Sequence, residues 1–482
     1  MRLVSLIAAA AAALAQPAFA ASAGDVAPPA DQWFTVLLDG RKIGSFESRR
    51  EAGGDTVVTT QSLDLVLERA GSSVILRSSE RSTESAEGKP LAFGSTTRLS
   101  GEDATVEGVV HDGSAQVTTR TGGAESVRNL AWPRGALLLE GTRLAGMRAG
   151  LAPGTRWTAL TFQPSSLDAV EVTSVVQPAE DVDLPAGRMR LVPVDQTAAL
   201  PGAPMKSRAW VDATQTVYKL TMPLFGVELT LLACDRACAT APNQGSDVFA
   251  RTLVTAPRAI TPEELQGSMR YVLAPRTPGA RLDAPETGEQ RVTRAGDTLV
   301  VEVDRAARAG SEAAPQPADY RPNDWLQSRA PEIVRLALQA VGDAGDPRER
   351  MQRIQSFVRG FIRDKNLDVG YASALEVARR PEGDCTEHAV LVAALGRAVG
   401  IPTRVLDGLA YAPGFAGRDR VFVPHAWAQA YVDGRWQSFD AALPGFDAGH
   451  IALSIGDGDP WRFFSGLDLL GRVDLREAAP VR

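Results

Sequence analysis

A run without any polar side chain, Ala389–Leu395, constrains the fold more than any other part of the sequence. It lies in GDCTEHAVLVAALGRAVGIP, which begins at Gly383. Asp384 and Glu387 have the spacing of a capping box, and a Gly and a Pro near the end of the stretch stop a helix. A helix that is apolar on all sides must be buried on all sides. We therefore predict a central buried helix whose first residue is Cys385.

The N-terminal half has a different pattern. From Trp33 to about Ala256 the chain is rich in Thr, Val, Ser and Gly, with alternating runs such as DTVVTTQSLDLVLE and VYKLTMPLFGVELTLLAC. Alternation of this kind between Gly, Asp and Asn turns is typical of antiparallel strands. We predict an all-β domain at 21–256. Strand-like pieces in 257–309 form either a small separate β unit or an extension of the first domain.

The C-terminal third is predicted to be a separate α+β domain. The Pro- and Ala-rich segment at 310–324 has the composition of a linker. Beyond it the apolar residues recur at helical spacing, followed by further strand patterns. We expect the domain at 325–482 to pack its buried helix on an antiparallel sheet. The predicted fold class is thus α+β, with an antiparallel all-β domain in front of the α+β domain.

The first 20 residues have the features of a cleaved export signal. They contain a basic Arg2, an apolar run and the sequence Ala18-Phe19-Ala20, which suits a signal peptidase. The run is shorter than the roughly 20 residues that a membrane span needs. We expect an exported protein, periplasmic or secreted, without a transmembrane anchor after cleavage. The formal net charge of -7 argues against nucleic acid as a partner.

The chain has three cysteines, and exported proteins tend to pair theirs. Cys234 and Cys238 are close enough for a local disulfide, although spacing alone does not establish the geometry. Cys385 is left over. Backbone N–H groups at a helix start favour a thiolate and can also stabilise an oxyanion. Asp384 opposes this effect by its own charge, so a stable thiolate needs a cationic partner such as an imidazolium.

A hairpin is predicted to supply that imidazole. In PHAWAQAYVDGRWQSFD the pair Asp433-Gly434 forms a favoured two-residue turn. The register that this turn imposes places Trp427 opposite Asp440, with His425 one diagonal step away on the same face. Diagonal neighbours are about 7 to 8 Å apart, which the two side chains can bridge. We predict His425 as the base and Asp440 as the residue that orients it.

The other candidates are supporting residues at most. His388 follows Cys385 on the same helical face and is predicted to pack against it or to support it. Trp427 either shields the site from water or packs in the core. His111 and His450 have no partner pattern and are predicted to be structural. The acidic GDGDP lacks the spacing of an EF-hand loop, so we predict neither a metal nor a cofactor.

Two stretches, GDCTEHAVLVAALGRAVGIPTRVLDGLAY and PHAWAQAYVDGRWQSFDAAL, resemble the transglutaminase-like superfamily core, whose fold is related to papain-like cysteine proteases. The resemblance covers residues 325–442. It implies a triad of Cys385, His425 and Asp440 and a thioester intermediate. The N-terminal half resembles the β domains that precede such cores in exported bacterial proteins.

Together with the export signal, this resemblance implies an exported thiol enzyme, a cysteine peptidase or amidase that hydrolyses protein or peptide amides. One alternative is a protein-glutamine gamma-glutamyltransferase, in which an amine replaces water as the acyl acceptor. A second is a binding or assembly protein with a catalytically silent core. The choice between water and an amine depends on loops such as Ala412–Arg420, which would have to exclude water from the site.

Overall fold

The computed structural model describes residues 30–481 except 70, 201–203, 225, 246, 277–281, 306–311 and 461–471. The predicted export signal at 1–20 lies outside the described residues. No helix in the described part of the chain is both long enough and apolar enough to cross a membrane.

The N-terminal part forms one antiparallel sheet of 15 strands, which confirms the predicted all-β character. Along the sheet the order is β8-β7-β6-β5-β4-β3-β2-β1-β15-β14-β13-β12-β10-β9, with β11 paired to β12. The strands are β1 (Asp31–Leu38), β2 (Arg41–Gly53), β3 (Thr56–Arg69), β4 (Ser72–Ser85), β5 (Pro90–Arg98), β6 (Asp103–His111), β7 (Ser114–Thr121), β8 (Ala124–Ala131), β9 (Arg156–Gln163), β10 (Asp168–Val176), β11 (Glu180–Leu184), β12 (Gly187–Ala198), β13 (Met205–Val211), β14 (Val217–Leu224) and β15 (Val227–Cys234). The helices α1 (Leu139–Ala149), α2 (Arg236–Ala239) and α3 (Val248–Thr252) accompany them.

The hairpin of β3 and β4 shows how the sequence pattern produces this sheet. Residues of β3 alternate between buried and less buried positions, and Leu63 and Leu65 are completely enclosed. Period-two burial is what a strand with one face on the core requires. The pairing runs to the end of the hairpin, where Arg69 faces Ser72.

A second sheet joins distant parts of the chain. It has the order β18-β19-β17-β24. The strands β17 (Ser268–Pro275), β18 (Gln290–Ala295) and β19 (Thr298–Asp304) come from the segment 257–309, whereas β24 (Val473–Pro480) lies near the C-terminus. The segment 257–309 was predicted to be either a separate β unit or an extension of the first domain, and its pairing with β24 was not predicted.

The third sheet carries the predicted hairpin. Its order is β16-β21-β20-β23, with β22 paired to β21. The strands are β16 (Val254–Thr255), β20 (Thr403–Phe415), β21 (Arg418–Val432), β22 (Arg435–Phe439) and β23 (His450–Gly456). Tyr431 faces Trp436, which confirms the predicted register. Ala412–Arg420 was expected to be a loop, but β20 and β21 continue into it as a tight hairpin, so that expectation was wrong.

The predicted central helix is present and lies between this sheet and three other helices. It is α8 (Cys385–Ala398), which contacts β20 and β21 on one side and α5, α6 and α7 on the other. The remaining helices are α4 (Pro262–Leu265), α5 (Pro331–Val341), α6 (Pro347–Phe361) and α7 (Ala374–Arg379). Every residue from Cys385 to Arg397 is buried. Each enclosed Val or Leu contributes about 1.5–3 kcal/mol, so packing fixes the helix firmly.

The described part of the predicted linker is held on the C-terminal domain. Glu312 forms a partly buried ion pair with Arg404 at 2.5 Å. Trp436 donates from Nε1 to the carbonyl of Ala313 at 3.1 Å. A short 3-10 helix at Pro317–Asp319 follows. Polar contacts of this kind restrict the segment to one path across the domain.

Candidate active site

The start of α8 is capped as predicted. Asp384 Oδ1 accepts a hydrogen bond from the Thr386 N–H at 2.9 Å, and Glu387 Oε2 accepts one from the Asp384 N–H at 2.9 Å. Both halves of the capping box are therefore present. Cys385 is the first helical residue, and its side chain is 9% exposed. The cap fixes the position of the sulfur at the electropositive end of a rigid helix.

The three cysteines divide into a bridge and a free thiol. Cys234 and Cys238 form a disulfide with their Cα atoms 6.0 Å apart. Cys385 is unbridged and buried. Its sulfur is thus available for chemistry.

Helix α8 meets the hairpin at this sulfur. The helix packs on β21, and the N–H of Ala426 on that strand lowers the pKa of the Cys385 thiol, against the larger effect of burial. His425 is the preceding residue on β21, and it pairs with Gly408 of the central strand β20. The sequence could not show this contact between a helix and a hairpin about 40 residues apart, because it depends on how the two elements pack.

Asp440 holds His425 in a fixed orientation. His425 Nε2 lies 2.8 Å from Asp440 Oδ2. The other carboxylate oxygen accepts hydrogen bonds from the N–H groups of Ala442 at 2.8 Å and Leu443 at 3.1 Å. Arg359 of α6 donates to the Asp440 carbonyl at 3.0 Å, which secures the same turn. Because Nε2 faces the carboxylate, proton exchange with a nucleophile falls to Nδ1.

A second imidazole contacts the same carboxylate. His450 Nε2 lies 3.0 Å from Asp440 Oδ2, and His450 Nδ1 lies 3.0 Å from Asp447 Oδ1. His450 was predicted to be structural because the sequence shows no partner pattern for it, but the structure gives it two carboxylate partners. Its partners come from the turn between β22 and β23, which has no pattern that sequence spacing could reveal. His111, in contrast, lies exposed at the end of β6 in the N-terminal sheet.

The shared carboxylate couples the ionisation of these groups. Burial alone would raise the pKa of Asp440, but the charges and hydrogen bonds of His425 and His450 outweigh it and hold that pKa well below its usual range. Burial alone would lower the pKa of His450, but its bonds to Asp440 and Asp447 raise it to about 9. His450 is thus an imidazolium at neutral pH, and it can donate from both ring nitrogens.

The thiol itself differs from expectation. The helix start was predicted to favour a thiolate, but burial raises the pKa of the Cys385 thiol well above its usual range, and Asp384 adds to the rise. Arg69 and the Ala426 N–H oppose it. A lone thiolate is therefore disfavoured in this enclosed site. Ionisation requires that the proton pass to a base whose positive charge stays nearby.

Trp427 and His388, the two candidate supporting residues, lie on different elements, β21 and α8. Trp427 is buried beneath the imidazoles, with its ring centroid 6.1 Å from that of His425 and 5.3 Å from that of His450. Its Nε1 donates to Ser438 at 3.1 Å, so it packs in the core. His388 is also buried, and its Nδ1 lies 2.5 Å from the Asp384 carbonyl. Its Nε2 has no hydrogen-bond partner among the described residues.

His425, Asp440 and His450 are also of types that ligate metals. Among the described residues they form a group whose ligand atoms all lie within 4.8 Å of one another. The two His–Asp hydrogen bonds already account for this proximity. A metal at this point would displace those bonds and occupy the nitrogen with which His425 meets its orienting carboxylate.

Part of the C-terminal domain matches a known family model. Residues 334–441 match the family model of the transglutaminase-like superfamily. The C-terminal domain has a transglutaminase-like core. Cys385, His425 and Asp440 all lie within the matched residues, whereas His450 and Arg69 lie outside them. No curated protein matches the chain.

Three solved structures resemble parts of the chain that carries this transglutaminase-like core. A candidate cysteine protease from Cytophaga hutchinsonii is 16% identical over 45% of this chain and 84% of its own, with a TM-score of 0.28. A candidate protease from Parabacteroides distasonis is 12% identical over 60% of this chain and 68% of its own, with a TM-score of 0.21. A candidate exported protein from Bacteroides fragilis is 10% identical over 42% of this chain and 92% of its own, with a TM-score of 0.18.

Proposed function

We propose that this protein is a thiol enzyme that acts on protein or peptide amides through a thioester intermediate. Two observations support this most directly: His425 Nε2 lies 2.8 Å from Asp440 Oδ2, and the helix that begins with the free thiol of Cys385 packs on β21, the strand that carries His425. In this proposal Cys385 is the nucleophile, His425 the general base and acid, and Asp440 the orienting carboxylate.

The reaction begins when Cys385 Sγ attacks the amide carbonyl carbon while its proton moves to His425 Nδ1. Asp440 stabilises the imidazolium that forms. The oxyanion is stabilised by the N–H of Cys385 at the helix start, because the N–H of Thr386 already donates to the Asp384 cap. His425 then gives its proton to the leaving nitrogen, and the C–N bond breaks to leave a thioester.

Hydrolysis completes the cycle in the leading form of the proposal. Water attacks the thioester, His425 accepts one of its protons, and the carboxylic acid leaves as the thiol is restored. Because burial raises the pKa of the Cys385 thiol, a thiolate at this position depends on an ion pair with His425. No cofactor and no nucleic acid takes part.

We further propose that the α+β domain packs in the papain-like manner and that the protein works outside the cytoplasm, in the periplasm or after secretion. The Cys234–Cys238 bridge supports the location, because disulfides persist mainly in oxidising compartments.

The proposed nucleophile can be tested by alkylation. Iodoacetamide should label Cys385 at pH 6 faster than it labels free cysteine, because an ion pair with His425 provides thiolate below the pKa of an ordinary thiol. His425→Asn should remove this advantage, and Cys385→Ala should remove the labelling. A rate in the unmodified protein no higher than that of free cysteine would favour a non-catalytic binding or assembly protein.

The acyl acceptor can be tested with a glutamine-containing peptide and a labelled primary amine. We expect ammonia release or peptide cleavage without incorporation of the label. Incorporation of the amine would instead assign the enzyme as a protein-glutamine gamma-glutamyltransferase. Cys385→Ala provides the blank for both readouts.

A further inference from the structure

The N-terminal β domain contacts the start of α8 through a charged side chain, Arg69. This residue ends strand β3, and its Nη1 lies 2.6 Å from Oδ2 of Asp384. The two side chains are 12% and 10% exposed, so the ion pair is largely withdrawn from water. Asp384 immediately precedes Cys385. A cation from one domain is thus placed one residue from the free thiol of the other.

The approach of the β domain to this point is fixed by polar contacts. The carbonyl of Leu99 accepts hydrogen bonds from the N–H groups of Gly370 at 2.8 Å and Tyr371 at 3.1 Å. Ser100 donates to Glu376 at 2.5 Å. These contacts lie on α7 and on the segment that leads into it, and α7 packs on α8. Arg69 is therefore placed by a built interface and not by a loose loop.

Asp384 has two separate roles, one for each carboxylate oxygen. Oδ1 caps the helix by accepting from Thr386 N–H and Oγ1 at 2.9 and 3.1 Å. Oδ2 meets Arg69. The helix cap thus requires a hydrogen-bond acceptor next to Cys385. The negative charge of that acceptor, Asp384, opposes ionisation of the Cys385 thiol. Arg69 supplies the opposite charge to the same carboxylate.

The charged groups around Cys385 come from three elements. Asp384 and Glu387 lie on its own helix, His425 lies on β21, and Arg69 lies on β3. Burial raises the pKa of Glu387 to about 8. Asp384 adjoins Cys385 in the chain, and its charge opposes ionisation of the thiol more strongly than that of Glu387 does. Arg69 interacts electrostatically with both Asp384 and Cys385.

We infer that Arg69 is a positioning residue of the thiol site: it neutralises Asp384 and so favours the thiolate of Cys385, which makes the β domain part of the catalytic centre. This inference rests on the proposed function. It gives the N-terminal domain a direct part in the chemistry. It also explains how an acidic helix cap can stand next to a cysteine nucleophile.

The test is the pH dependence of Cys385 alkylation by iodoacetamide, measured in the full chain. Because Cys234 and Cys238 are bridged, Cys385 is the free thiol that reacts. Arg69→Gln should move the alkylation midpoint up by about one pH unit or more, and Arg69→Lys should restore most of that shift. Arg77→Gln is the control, because Arg77 pairs with Asp64 at 2.7 Å on the exposed surface of the same hairpin. It should leave the midpoint unchanged.

A double variant separates charge from folding. Asp384→Asn keeps an acceptor for the helix cap but removes the charge, so Arg69→Gln combined with Asp384→Asn should return the midpoint to the original value or below it. A purely structural role would leave the double variant as impaired as Arg69→Gln. An unshifted midpoint in folded Arg69→Gln overturns the inference. Slow labelling of the unmodified protein would instead contradict the proposed function.

Discussion

His450 Nε2 lies 3.0 Å from Oδ2 of Asp440, the same oxygen that meets His425 at 2.8 Å. The carboxylate that orients the proposed base is therefore shared by two imidazoles. His450 is in turn held by Asp447. Because Asp440 has only 1% of its surface exposed, protein groups and not solvent set its position and charge.

Replacement of His450 should weaken catalysis without removing it. His450→Gln takes away one charged hydrogen bond from Asp440, so kcat/KM should fall by roughly tenfold to a hundredfold. Steady-state kinetics on a peptide amide would measure the loss. His111→Gln is the matched control, because that histidine is exposed in the N-terminal sheet, and it should behave like the unmodified protein. Equal losses in both variants would contradict the role of His450.

The charge of His450 should also appear in the pH dependence of stability. Its pKa is raised from an ordinary value of 6.5 to about 9 in the folded protein. A raised pKa means that its stabilisation is complete below pH 6.5 and is lost as pH rises through 9. The difference in unfolding free energy between the unmodified protein and His450→Gln should therefore shrink by ~3 kcal/mol over that interval. Urea unfolding at several pH values would measure it, and a constant difference would count against an imidazolium at this position.

Asp440→Asn should cause a much larger loss of activity. Asparagine is similar in shape but cannot balance an imidazolium, so we expect kcat to fall on the order of a thousandfold or more. Asp447→Asn is the matched comparison, because Asp447 contacts His450 and not His425. Its effect should resemble that of His450→Gln. Comparable losses in the two aspartate variants would contradict a separate role of Asp440 in balancing the charge of His425.

Gly408 allows two strands to approach closely next to the site. It pairs with His425 of β21 and with Ala452 of β23. A Cβ atom here would lie 2.0 Å from the carbonyl oxygen of Ile451, so Gly408→Ala must push β23 outward. We expect about 1–3 kcal/mol of destabilisation together with lower activity, because β23 begins with His450.

Gly414→Ala is the control for that prediction. Gly414 lies on the same strand β20, but a Cβ atom there would come no closer than 3.7 Å to its nearest neighbour. Its unfolding free energy should change by less than about 0.5 kcal/mol. Thermal unfolding and kinetics of the two variants side by side would distinguish a local clash from a general cost of filling glycine positions.

Local patterns were enough to predict several parts of the site. The cap at Asp384, the buried helix that starts at Cys385 and the register that brings His425 near Asp440 were all predicted. Each depends on residues within a turn or a hairpin of one another. The catalytic roles assigned to the three side chains stay predictions until the alkylation experiment is done.

The groups that act on the site from a distance were not predicted. His450 reaches Asp440 across the turn between β22 and β23, and Arg69 reaches Asp384 from another domain. The pairing of β17 with β24 joins segments about 200 residues apart in the same way. The raised pKa of the Cys385 thiol also follows from enclosure by many elements at once.

The sequence by itself determined the elements and the local geometry of the proposed nucleophile, base and orienting acid. Hydrogen bonds and hydrophobic periodicity within a few residues fix those features. Only the tertiary structure decided which charges surround them. Packing brings remote side chains into a site with little water, and there a single ion pair or shared carboxylate sets the ionisation of its neighbours.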